Sequence, residues 1–140
     1  MKTAELVANA LRAAGANVIM TRTTDTFVDL APRPTTANNA HADAFISFHL
    51  TPARPKLSLR VHHLLLQQQK DLALAKAVNN AFDDLPLENR GVAFGNYEVL
   101  RDNKQPAILN EMGYINNDKD FKYIKTQRIN LKLRRILLTV

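Results

Sequence analysis

Cysteine is absent from this chain of 140 residues, which excludes disulfides and thiolate metal sites and leaves the compartment open. Glycine and proline are sparse, at 4 and 6 residues, as in an ordinary globular domain. No run approaches the ~18 consecutive apolar residues of a membrane span. The opening MKTAELVANALRAAGA lacks the apolar core of a secretory signal. There is no internal repeat, and no low-complexity string longer than LLLQQQ. Negative charge is in deficit: the formal charge is +6 and the pI about 9.8. Such an excess favours polyanions, whether nucleic acid, anionic lipid or an anionic cell wall. Much of it lies after Lys119, and the signs are mixed elsewhere, so no broad basic face follows. What remains, with 46% hydrophobic and 23% charged residues, suffices for one domain with a single core.

Ala4, Leu6, Val7, Ala10, Leu11 and Ala14 recur at helical spacing, with Gly15 as the C-cap. Asn17–Thr21 reads as a buried strand. A loop with Asp25 and Asp29 leads to LAPRPTTANNAHAD, where a short helix is expected. Pro32 and Pro34 argue against regular helix before about Thr35. Asp43–His49 is the next strand, residues 50–60 a loop, and Val61–Leu66 a further strand. Lys70–Phe82 has the apolar spacing of a helix, and Asn96–Arg101 and Ala107–Glu111 complete the strands. A last helix is expected after Asn117, where Asn and Asp supply N-cap chemistry. Helices alternating with short apolar strands indicate a three-layer α/β/α domain with a mostly parallel sheet.

Two strands deliver chemically capable residues at or near their C-terminal ends: His49 in AFISFHL and Glu111 in PAILNEMGYINN. That edge is where open α/β sheets build their sites. A neutral imidazole and a carboxylate together suggest a metal ligand and a general base. The bland alternatives are a strand-end histidine bonded to backbone and an ordinary loop carboxylate.

The blocks GANVIMTRTTDTFVDL (15–30), ANNAHADAFISFH (37–49), RGVAFGNYEVLR (90–101) and PAILNEMGYINNDKD (106–120) resemble the zinc-dependent N-acetylmuramoyl-L-alanine amidases of bacterial cell walls. The similarity runs over most of residues 4–124. The last block follows the family's P-A-[IV]-L-x-E-x-G-[FY]-x-[ST]-N pattern almost position for position. The resemblance implies zinc as cofactor, His49 as a zinc ligand and Glu111 as the catalytic glutamate. Arg101, read as ending a strand near the expected site, is a candidate substrate contact. The expected substrate is bacterial peptidoglycan, cut at the amide between N-acetylmuramic acid and L-alanine. The expected location is extracellular or in the cell wall.

Family members begin with a strand ending in Gly-His-Gly, followed by a glutamate ligand. Both would fall before Met1, and Glu5 does not match the glutamate. The expectation is therefore a truncated amidase domain over residues 1–140, lacking the family's first strand and two of three zinc ligands. Such a domain would be marginally stable or recruit another chain to complete its sheet. RVHHLLLQQQ also departs from the family's aromatic strand. Tyr and Asn codons read one base apart become Leu and Gln codons, so a local frameshift, in the gene or its sequencing, would explain the string. The tail RINLKLRRILLTV departs from the family's last helix.

His62 and His63 are adjacent, face opposite sides of a strand and cannot both reach one metal. They read as surface residues, as does His41. Arg22, Asp25 and Arg33 match family positions and read as holding loops by ion pairing. Beside the amidase stand two alternatives. One is a degenerate fragment that binds cell-wall glycopeptide or an anionic surface without cutting. The other is a basic nucleic-acid binder, which no recognised motif supports.

Overall fold

A computed structural model describes residues 2–51, 60–65, 68–82, 88–114 and 118. Its elements are α1 (Lys2–Ala13), α2 (Pro32–Asn39), β1 (Phe45–Thr51), β2 (Arg60–Leu65), α3 (Gln68–Phe82), β3 (Glu88–Phe94), α4 (Glu98–Arg101) and β4 (Ala107–Tyr114). The expected helix after Asn117, most of the 50–60 loop and the basic tail lie outside the described residues, as do the side chains of His62 and His63.

α1 buries Val7, Ala8 and Ala10, with Glu5 in its first turn and Arg12 in its last, which complements the helix dipole. It ends as the Gly15 signal predicts. Gly15 has φ +93°, and the Ala16 and Gly15 amides donate back to the Leu11 and Arg12 carbonyls, each at 3.0 Å.

The next expectation fails. Asn17–Thr21 forms no strand: residues 16–20 pair with none of the described strands, and Ile19 is 56% exposed. An apolar run becomes a strand only where a neighbour takes up its backbone groups. Here the Val18 carbonyl instead accepts the Arg12 guanidinium at 2.8 Å.

α2 starts earlier than its prolines suggested, at Pro32. The first turn of a helix has no use for its amide hydrogens, so both prolines fit there. Asn96–Arg101 is likewise not a strand. The strand precedes it, as β3, and α4 follows.

The four strands are ordered β1-β4-β2-β3. β1 runs parallel to β4 and β2 parallel to β3, while β2 and β4 are antiparallel. Two of three pairings are thus parallel, within an α/β sheet. α1 lies against β1, and α3 against β2, β3 and β4. α2 and α4 pack together, with α4 on β4. Ala37, Phe45, Val99, Leu100, Ala107 and Leu109 form one core cluster. The alternate β4 set, Ile108, Asn110 and Met112, is also buried, so both faces of β4 are covered.

The turn entering β4 is fastened by side chains. Asp71, fully buried in the first turn of α3, accepts the Ala107 amide at 3.0 Å. Lys70 donates to the Asn103 and Gln105 carbonyls. From α2, Asn38 donates to the Asp102 carbonyl at 2.8 Å and accepts the Lys104 amide at 2.9 Å.

Candidate active site

β1 and β4 are held in parallel register, and that register sets His49 opposite Glu111. Directly paired residues share a face of the sheet, so the fold joins the two residues that the sequence singled out. Both are half-buried. Ser47, two residues before His49 and on the same face, has its Oγ 3.0 Å from His49 Nε2. The period of a strand would have found Ser47 once His49 was chosen.

Regular pairing breaks just beyond the pair. His49 faces Glu111 but Thr51 faces Tyr114, so β4 carries one extra residue there. Gly113, within that bulge, has φ +126°. A side chain is strained in that region, which is a physical reason for glycine two positions after Glu111. Bulges often re-aim side chains beside active sites.

The His49 imidazole titrates below its ordinary 6.5. Burial is the main cause; the Glu111 carboxylate works against it, and Arg33 and Arg22 reinforce it. The ring is therefore neutral at neutral pH, the form that offers a lone pair to a metal. The expectation for the two arginines is that they hold loops by ion pairing. They instead bind carbonyls of the preceding loop: Arg22 that of Thr26 at 2.8 Å, Arg33 that of Val28 through Nε at 3.1 Å and Nη2 at 2.6 Å. His41 is exposed, as expected, with φ +48°.

Arg101 is not at a strand end. It is the last residue of α4, bonded to Asp102 at 3.0 Å and Asn96 at 3.3 Å. α4 leads into the N-terminal end of β4, whereas Glu111 lies towards the other end.

Catalytic zinc takes three protein ligands and keeps one position open. Among the described residues no group of three or more His, Cys, Asp or Glu is placed to hold a metal. His49 and Glu111 supply two donors, so the described side chains do not by themselves fit zinc. Among the described residues no helix is long and apolar enough to cross a membrane.

Comparison with known proteins points to one family. YrvJ of Bacillus subtilis, named for N-acetylmuramoyl-L-alanine amidase activity, is 40% identical over 121 residues, which cover 86% of this chain and 23% of that protein. The cell wall amidase LytH of Staphylococcus epidermidis is 37% identical over 128 residues, 91% of this chain and 42% of its own length. This chain thus spans less than half the length of these curated relatives. Among solved structures, the catalytic domain of CwlV, an N-acetylmuramoyl-L-alanine amidase from Paenibacillus polymyxa, superposes with a TM-score of 0.90 at 26% identity, covering 98% of this chain and 77% of that one. An amidase of Clostridium difficile 630 gives 0.89 at 26% identity, covering 99% and 77%. The profile of the N-acetylmuramoyl-L-alanine amidase family matches residues 1–136, and the chain belongs to that family.

Proposed function

We propose that this chain is a peptidoglycan-hydrolase domain that cleaves the amide between N-acetylmuramic acid and L-alanine, outside the cell or in its wall. The observation that carries this reading is the pairing of His49 with Glu111 on adjacent parallel strands, in a chain of the amidase family. An amide is a poor electrophile, and its amine departs only when protonated. Glu111 takes a proton from the attacking water and returns it to the leaving amine, a role worth roughly 10²–10⁴-fold in rate. Zinc is the metal the family reading calls for. His49, neutral and half-buried, is the described residue suited to bind it. With two donors described, the proton transfers are attributed to Glu111 and none to a metal.

The test is to incubate the chain with purified peptidoglycan and label the alanine amines that appear. Release by the wild type, reduced about 100-fold or more by Glu111→Gln, is expected. No release by folded wild type, with or without added zinc, would overturn the reading. A second reading, a glycopeptide binder that does not cut, is favoured by the two-donor count. It predicts co-sedimentation with peptidoglycan and no amine release. Loss of that co-sedimentation in salt would point to an anionic surface instead.

A further inference from the structure

By the strand period, the sheet face that carries His49 and Glu111 also carries Phe45, Ala107 and Leu109. Ala37 of α2 shares a core cluster with those three residues, so α2 covers that face. α2 ends at Asn39 and β1 starts at Phe45, and a helix joined so closely to the strand it covers runs back along it. Its first turn, with Arg33, is thereby carried towards the His49 end of β1. Arg22 is tied to the same loop: it binds the Thr26 carbonyl, and Arg33 the Val28 carbonyl. Both guanidinium charges reach His49.

Among the described residues neither arginine meets a carboxylate in an ion pair, although Asp25 and Asp29 stand in the loop between them. Arg33 is half-buried, and a cation drawn out of water without an anion beside it is costly. A guanidinium has five N–H donors in a planar fork that matches a carboxylate. The carbonyl bonds leave most of those donors uncommitted while holding both side chains in place, so little freedom is lost on binding. We propose that Arg22 and Arg33 bind a carboxylate of the substrate's peptide and make the site selective for anionic peptides. This rests on the amidase reading for the substrate. The muramic carboxyl is itself part of the amide that is cut, so the remaining negative charge belongs to the peptide.

Binding separates this inference from turnover. Calorimetry is run on the full chain carrying Glu111→Gln, so that consumption of the ligand is slow. Two ligands are compared: an N-acetylmuramoyl-L-alanyl peptide with a free terminal carboxylate, and the same compound as its terminal amide. The acid should bind about tenfold or more tightly, as charge-assisted hydrogen bonds allow. Adding Arg22→Gln and Arg33→Gln should erase that preference and leave binding of the amide unchanged. Arg33→Lys, which keeps the charge without the fork, should retain part of it. Circular dichroism checks that each variant is folded. The proposal is overturned if the folded chain binds neither ligand, if it binds the acid no more tightly than the amide, or if the double arginine variant keeps the preference. It is also overturned if that variant loses the amide as well, since the arginines would then only hold the loop. Any of these results leaves amine release by the wild type to be judged on its own, and absence of amine release leaves the acid preference readable.

Discussion

Two apolar runs of similar character have opposite fates in this molecule. Ala107, Ile108 and Leu109 lie between β1 and β2 and are 0%, 0% and 2% exposed. Val18, Ile19 and Met20 pair with none of the described strands, and Ile19 is 56% exposed. The alternation of a strand survives in the second run, with Val18 and Met20 half-buried and Ile19 outside. What it lacks, among the described residues, is a neighbouring strand for its backbone. Hydrophobicity nominates a strand; only the surrounding sheet makes it one.

The largest contrast should appear when the same side chain is cut in both runs. Ile108→Ala removes a fully buried side chain and should cost about 2–5 kcal/mol. Ile19→Ala should change stability by no more than about 0.5 kcal/mol. Urea denaturation of the two variants measures this, and equal losses would erase the distinction.

Polar support should divide the same way, with smaller effects. Asp71→Ala leaves the Ala107 amide without its buried acceptor and should cost about 1–3 kcal/mol. Arg12→Ala frees the Val18 carbonyl in an exposed setting and should cost about 0.5 kcal/mol or less.

A further small change tests a turn outside both runs. His41 holds a positive φ after α2, a region that costs an L-residue about 1–2 kcal/mol. His41→Gly should therefore raise stability by up to about 1 kcal/mol, read as a higher urea midpoint. An unchanged or lowered midpoint would mean that the turn is not strained.

The difference between the two runs also explains how far the sequence could be read. α1 and its Gly15 cap, α3, β1 and β4 are legible because each carries its own periodicity or capping signal. His49 and Glu111 are legible because each ends a short apolar run, and because the block around Glu111 resembles a family pattern. Three features depend on context that no local window contains. The failure of Asn17–Thr21 depends on which strands stand beside it. The helical start at Pro32 depends on both prolines falling in a first turn. Arg101 was misplaced because VLR has the composition of a strand, whereas α4 packs against β4 and α2. The Gly113 bulge is a consequence of register, which appears only once β1 and β4 are paired, whereas Ser47 follows from the period of β1 itself.

His49 ties this geometry to pH. Its folded pKa is lowered, so the unfolded chain takes up the proton first as pH falls below 6.5. In the metal-free protein its contribution to stability is present above that pH and is lost below it. His49→Asn should flatten that part of the stability profile.

The central claim is that the fold sets His49 beside Glu111. The most direct test follows the His49 ring by NMR through a pH titration of metal-free wild type and Glu111→Gln. The Glu111 carboxylate raises the His49 pKa against the effect of burial. Removing its charge should therefore make His49 titrate at lower pH. An unchanged His49 titration would contradict the pairing, and with it the site on which the functional reading rests.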